Sequence, residues 1–204
     1  MPEGALFAMS PGKTKKEPSA ISLKIAKHKI QMKKLLVLLP VLAVFSILIL
    51  IFIPTTNVLT ITNRKNNSEQ VISREAYKKG FIISYTHSVN KGRVHDYYKV
   101  LQDRQLQLYQ TEFVSYGAGM PEPYETPGAV FESTDTGYFI KNLNRTLPKF
   151  LMAVGVIADH TILIGQNMAD GQEVMLKNLF APQTSLIFQV EKISLIKLLL
   201  SEKI

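Results

Sequence analysis

Cysteine is absent from all 204 residues. That excludes disulfides, thiolate zinc sites and cysteine nucleophiles together. The chain also lacks a low-complexity run, an internal repeat and the strand–helix alternation that builds parallel sheets. It has no glycine-rich phosphate loop, because Gly117-Ala118-Gly119 stands without the strand-to-helix context such a loop needs. There is no nucleophile elbow either. A basic face is missing from most of the chain. The net charge is +8, but residues 1–34 contribute +6 of it, with eight lysines against Glu3 and Glu17. The rest is nearly balanced at +2, so the charge belongs to a tail and not to a nucleic-acid-binding surface.

What is present begins with that tail. Residues 1–20 are rich in Pro, Gly, Ser and Lys, a composition that predicts disorder. Residues 21–31 read as a solvated basic segment, with a short amphipathic helix on an anionic membrane surface as the alternative. Leu35 to Ile53 is an uncharged apolar run of nineteen residues. As a helix it would span ~28 Å, close to the hydrocarbon thickness of a bilayer. It is apolar on every face, which sets it apart from an ordinary surface helix. Lys24, Lys27, Lys29, Lys33 and Lys34 precede it, whereas Arg64 and Lys65 are the first basic residues beyond it. This asymmetry places the N-terminus in the cytoplasm and residues 54–204 outside, on a single-pass anchor in the cell membrane. No small-x-small cleavage site follows the run, so an uncleaved signal anchor is expected. Met32-Lys33-Lys34-Leu35 has the form of an export-signal start, which makes residues 1–31 a candidate over-extension of the gene start.

After Pro54 the pattern changes to alternation of apolar and polar residues. Strands are expected at 58–62, at 81–87 and 94–100 around the turn Asn90-Lys91-Gly92, and at 106–113. Further strands are expected at 129–131 and 138–140, at the apolar segment Phe150 to Ile157, and at 161–164 and 173–176 around a hairpin at Asp170-Gly171. Ser185 to Val190 reads as the last strand, and Glu191 to Ile204 fits helix and strand equally. Nine or ten short strands at this spacing predict an all-β domain over 54–204, a β-sandwich or a small barrel.

Two stretches stand out, Tyr85 to Val100 and Ser115 to Pro121, and they are expected to face each other. His87, Ser88 and Asp96 allow three readings. The first is a serine-type hydrolase, with Ser88 as nucleophile, His87 as base and Asp96 as orienter. Adjacent strand residues point to opposite faces, which opposes this unless the strand ends between His87 and Ser88. The second is a metal site drawing on His87, His95, Asp96, Asp159 and His160, at a spacing that is not specific. The third is a hairpin cap, with the loop around Gly117 and Gly119 packed against it. This third reading still allows a pocket in which His87 and Ser88 donate hydrogen bonds, Asp96 orients them and the glycine loop offers amides to a small anion or a partner chain. Glu122 and Glu125, set among prolines, read as solvated carboxylates, and no cofactor is indicated.

The series Tyr85-x-His87-Ser88-Val89, Val94-x-Asp96-x-Tyr98-x-Val100 and Phe113-x-Ser115-Tyr116-Gly117-Ala118-Gly119-Met120-Pro121 resembles the DUF1850 family. Leu147-Pro148 and Asp159-His160-Thr161 resemble its closing part, so the likeness runs over residues 57–190. The resemblance implies a small membrane-anchored protein of a family without assigned function, often encoded with components of TRAP-type transporters of the TAXI class. It implies an accessory role beside such a transporter and carries no catalytic residues. This chain has Asn90, Gly92, Arg93 and His95 where the family usually places acids and a Thr-Pro pair, and Asp96 alone keeps an acid. A hydrolase and a purely structural envelope protein are the competing expectations.

Overall fold

The computed structural model describes residues 20–66, 70–117, 126–169 and 171–204. The expected tail over 1–19 therefore lies outside the described residues, as do Ala118 to Glu125, with Gly119, Glu122 and Glu125 among them, and Asp170. The chain divides into two units, Met1–Leu50 and Ile51–Ile204.

In the first unit the apolar run forms a helix, α1 (Ala20–Phe52), that is longer than the run itself. Within it Lys27–Phe52 is long and apolar enough to cross a membrane, and its most apolar eighteen-residue stretch has no buried residue. Residues 20–34 continue the helix instead of forming a separate solvated segment. Extending a helix that is already nucleated adds one hydrogen bond per residue ordered, which lowers the cost for the lysine-rich turns. Pro40 lies inside α1, where it cannot donate to the carbonyl four residues earlier, a defect that membrane helices tolerate.

The second unit is built on β1 (Pro54–Asn63), β2 (Gln70–Ser73), α2 (Arg74–Lys79), β3 (Phe81–Thr86), β4 (Arg93–Val100), β5 (Leu106–Phe113), β6 (Val130–Thr134), β7 (Gly137–Leu147) and β8 (Lys149–Ala153). It continues with β9 (Thr161–Ile164), β10 (Val174–Met175), a short 3-10 turn (Leu176–Asn178), β11 (Ser185–Ser194), α3 (Leu195–Leu200) and β12 (Glu202–Lys203). One sheet has the order β12-β2-β1-β11-β8 and the other β10-β9-β3-β4-β5-β7-β6. All neighbours are antiparallel except β12 with β2. No pairing among the described residues joins the two sheets, so the fold is a sandwich and the barrel expectation is corrected.

The core lies between the sheets. Phe81 and Tyr98 from one sheet stack on Phe150 and Phe188 from the other, with centroids 5.1 Å apart for Phe81–Tyr98, 4.8 Å for Tyr98–Phe150 and 4.6 Å for Phe150–Phe188. Leu59, Ile61, Ile83, Leu106, Ile162 and Leu186 surround the stack, all buried. Offset ring pairs add about 0.5–1.5 kcal/mol each beyond their buried area.

Four other expectations change. The segment Phe150 to Ile157 is not one buried strand. Its first half belongs to β8, an edge strand with alternating exposure, and Val156 and Ile157 are exposed in a loop. The physical reason is topological: the chain must leave one sheet here to enter β9 of the other, and the His160 Nδ1 closes that loop by accepting from the Gly155 amide at 3.0 Å. The strands around 161–164 and 173–176 do pair, Ile162 with Val174, but the link between them is longer than a two-residue hairpin. Strand β11 runs on to Ser194, and the ambiguous C-terminal stretch divides into the end of β11, then α3, then β12. Helix α2 was not expected. Ser73 caps it by accepting from the Ala76 amide at 3.1 Å, and Gly80 ends it at φ 81°, where a Cβ would lie 2.5 Å from the Tyr98 carbonyl oxygen.

Candidate functional site

Strand β3 ends at Thr86, so His87 and Ser88 belong to the turn and not to the strand. The turn is held from within. The His87 carbonyl accepts from the Lys91 amide at 3.1 Å, and its Nδ1 accepts from the amides of Val89 at 3.3 Å and Asn90 at 3.4 Å. Asn90 Oδ1 accepts from the Gly92 amide at 3.0 Å, and Lys91 Nζ donates to the Ser88 carbonyl at 2.6 Å. Lys91 sits at φ 61°, a left-handed conformation that costs a side-chain-bearing residue about 1 kcal/mol and is sustained by these bonds. His87 therefore acts as the cap of its own turn.

Two loops flank the turn. On one side Asn90 Nδ2 donates to the Ser115 carbonyl at 3.0 Å, and a Cβ on the buried Gly92 would meet Val114 and Ser115 at 3.1 and 3.3 Å. The two stretches singled out in the sequence thus meet at Asn90 and Ser115. Gly117 follows with open space beside it. On the other side the Thr86 amide donates to the Ala158 carbonyl at 2.7 Å. A cleft of about 280 Å³ lies there, lined by Thr86, His87, Ser88, Lys91 and residues 155–158. Val156 and Ile157 in its lining stand exposed, as does Val89 in the turn. A larger open cavity of about 540 Å³, lined by Asn63, Arg64, Lys65 and residues 182–185, belongs to the end of β1 remote from Pro54. The cleft is at this end too, since Val154, just before it, bonds Thr184 beside the start of β11.

Asp96 is not part of the cleft. It pairs with Ile83, four residues back from His87, or ~13 Å along the strand. Its side chain lies on the inner face of the sheet, where Thr111 Oγ1 donates to it at 2.6 Å and the Tyr85 hydroxyl also donates. Burial pushes its carboxyl up to about 6, with these two hydrogen bonds opposing the shift. Burial likewise raises the Tyr85 hydroxyl, and the neighbouring Asp96 adds to it. The catalytic grouping of His87, Ser88 and Asp96 is not assembled.

Nor do the metal candidates converge. His95 and Asp96 are successive strand residues on opposite faces, and the Nδ1 atoms of His87 and His160 are occupied by loop amides. No group of three or more metal-capable side chains gathers among the described residues. His160 instead packs its ring on Tyr85 at 5.7 Å, and Asp159 pairs with Lys177 at 2.8 Å. Burial lowers the His160 imidazole, Arg93 acts in the same sense, and Asp159 opposes.

The outer face carries a polar row that sequence reasoning missed. Cross-strand register sets Thr161, Ser84, His95 and Glu112 directly beside one another on β9, β3, β4 and β5. Ser84 Oγ and His95 Nδ1 are 2.7 Å apart. Ser84 also bonds the Glu173 carboxylate, which can only accept, so the serine proton goes to Glu173 and His95 donates from Nδ1. Thr161 Oγ1 donates to Glu173 at 2.9 Å, while Arg93 donates to Thr161 Oγ1 at 2.9 Å and to the Asp159 carbonyl at 2.9 Å. The Arg93 guanidinium stands 3.6 Å from Glu173. Burial alone would raise Glu173, but the bonds from Ser84 and Thr161 and the charge of Arg93 hold it below the usual carboxylate range. Burial pushes His95 down, against the pull of Glu112. Ser84 is fully buried, so this Ser–His pair is a structural bond and not an exposed nucleophile. The signal available in the sequence was the alternation of Ser84 with Ile83 and of His95 with Asp96. The missing piece was that β9 lies next to β3.

No curated protein and no solved structure matches the chain. Over residues 81–170, which include the turn, the cleft and the polar row, the chain matches the family model described as a domain of unknown function, DUF1850.

Proposed function

We propose that this protein is a membrane-anchored accessory module whose β-domain lies outside the cell membrane and binds, through the cleft beside His87, a small anion or a component of a TRAP-TAXI type solute uptake system. The observation that carries this reading is the cleft's place. It opens at the end of the sandwich remote from Pro54, where the chain leaves the membrane-crossing run, and exposed Val156 and Ile157 line it. Arg64, Lys65 and Lys91 lie at the same end, which suits an anionic ligand or an acidic partner surface. The lysine asymmetry about the apolar run supports the outward orientation.

A photo-crosslinking side chain placed at Val89 or Ile157, in native membranes, tests the partner arm. An adduct with a transporter subunit, lost when the probe is moved to Glu75 on α2, supports the reading. In parallel, the full chain in detergent is screened by thermal shift against small carboxylates and phosphate. A ligand that raises the melting temperature of wild type but not of Lys91→Ala supports the anion arm. Failure of both arms removes the proposal. The structural alternative has its own observation, since His87 and His160 both spend Nδ1 on loop amides. It expects His87→Ala to lower stability with no ligand found.

A further inference from the structure

The larger cavity, of about 540 Å³, shares no lining residue with the cleft beside His87. It forms where β1 ends and β11 begins. These strands pair from Pro54 with Ser194 to Asn63 with Leu186. One further rung follows, in which the Arg64 amide donates to the Ser185 carbonyl at 2.8 Å. The chain then turns, and Asn63 Oδ1 accepts from the Lys65 amide at 2.9 Å. Arg64 and Lys65 are exposed, yet their backbone is pinned by these two bonds. Two successive cations are therefore presented from a fixed turn, which lowers the entropic cost of ordering them around a ligand.

The opposite wall is pinned as well. The Thr184 amide donates to the Ala181 carbonyl at 3.2 Å, the Gln183 amide to the Val154 carbonyl at 2.8 Å, and the Val154 amide to the Thr184 carbonyl at 2.9 Å. Gln183 is held at φ 66°, in the left-handed region that a residue with a side chain adopts only where its surroundings impose it. The amides of Gln183 and Thr184 are thus engaged, but the side chains around the cavity are not. Among the described residues, the Arg64 guanidinium, the Lys65 ammonium, the Gln183 side-chain amide and the Thr184 and Ser185 hydroxyls make no hydrogen bond or ion pair. Thr184 and Ser185 are half-buried in the wall.

The chemistry of the lining is one-sided. None of its seven residues carries a carboxylate or an imidazole, Pro182 alone is apolar, and the Asn63 side-chain oxygen is taken by the Lys65 amide. Such a lining offers no ligand set to a metal ion and little surface to an apolar molecule. It does suit an oxyanion. A guanidinium presents paired donors to two oxygens, an ammonium adds a second charge, and hydroxyls add neutral donors. Several exposed lysines of the domain are neutralised by an adjacent carboxylate: Lys78 and Lys79 by Glu75, Lys141 by Glu132, Lys177 by Asp159 and Lys197 by Glu191. Arg64 and Lys65 have no such acid among the described residues, which leaves two positive charges facing one cavity.

We infer that this cavity is a binding site for a small dianion with carboxylate or phosphate oxygens. Arg64 and Lys65 supply the charge, and Gln183, Thr184 and Ser185 supply neutral donors. The inference does not rest on what the cleft beside His87 binds.

The full chain in detergent is titrated calorimetrically, at fixed ionic strength, with inorganic phosphate and separately with succinate, with chloride as the control. Saturable binding of at least one of the two dianions is expected. Arg64→Met and Lys65→Met are each expected to weaken it about tenfold or more, and together to abolish it, while Lys91→Ala keeps it. Arg64→Lys, which keeps the charge but loses the paired donors, is expected to fall between wild type and Arg64→Met. Neither cationic side chain is bonded within the described fold, so the melting temperature without ligand should match wild type. Thr184→Val is a second variant that leaves both cations in place, and it is expected to weaken binding about threefold. Tighter binding of phosphate identifies a phosphoryl-bearing ligand and tighter binding of succinate a dicarboxylate, and either supports the site. No saturable binding of either, or binding that survives the combined Arg64→Met and Lys65→Met change, overturns the inference. Loss of binding in Lys91→Ala overturns it as well and assigns the anion to the cleft.

Discussion

Two rows of side chains cross the same sheet one residue apart and end in opposite electrostatic states. The inner row is Ile162, Ile83, Asp96, Thr111 and Ile140, and the outer row is Thr161, Ser84, His95 and Glu112. The inner row offers its carboxylate neutral donors only, Thr111 and Tyr85, and burial raises Asp96 to about 6. The outer row places Arg93, Ser84 and Thr161 around Glu173, and that carboxyl is lowered. Two hydroxyl donors only partly offset the desolvation of the deeply buried Asp96, whereas two hydroxyl donors with a nearby guanidinium exceed that of the more exposed Glu173. The same pleat thus makes one face a core that tolerates a single acid and the other a bonded polar network.

This contrast can be broken at its strongest point first. Phe81→Ala on the inner face removes a ring from the four-ring stack and is expected to cost ~3–5 kcal/mol by denaturant unfolding of the full chain in detergent, the largest effect of the set. A loss below about 1 kcal/mol would mean the two sheets are not held by this stack.

Asp96→Asn sharpens the comparison. A carboxyl raised in the folded state contributes stability that is fully present below its unfolded value near 3.8 and is lost as pH rises through about 6. The asparagine variant lacks this loss. Between about pH 4 and about pH 8 its stability should rise relative to wild type by up to about 3 kcal/mol. A difference that stays flat with pH would refute the assignment.

On the outer face Arg93→Met leaves Glu173 and the Asp159 carbonyl without their cation. It should cost about 1–3 kcal/mol and raise the Glu173 carboxyl in an NMR titration. An unchanged Glu173 titration would show that Ser84 and Thr161 alone set it. The smallest effect is at the turn. His87→Ala frees the amides of Val89 and Asn90 to solvent and should cost about 0.5–1.5 kcal/mol, read as a modest fall in melting temperature with the fold kept by circular dichroism. A loss as large as that of Phe81→Ala would make the turn part of the core.

Much of this was legible in advance. Alternation assigned Phe81, Ile83 and Tyr85 to one face and Ile82 and Ser84 to the other, because the side-chain period of a strand is two whatever its neighbours are. The apolar run and the turn at Asn90 to Gly92 were readable for the same local reasons. The candidate site was legible in part. Its turn and its contact with the Ser115 loop follow from neighbouring sequence, but Asp96 was grouped with His87 because both flank one hairpin. Strand β3 ends before His87, and the faces then separate the two. Residues 150–157 misled because apolar composition alone does not show where a chain must change sheets.

By itself the sequence determined a long apolar helix, a succession of short alternating strands and a polar turn at Asn90 to Gly92, since each depends on periodicity or on groups within a few residues. Tertiary structure alone decided that two sheets stack without closing, that β9 lies beside β3, and that Ser194 meets Pro54. Arg93 and Thr161, 68 positions apart, become hydrogen-bond partners only through that strand order. Pairings at such separations are set by the summed packing of whole sheets, and no local pattern along the chain encodes them.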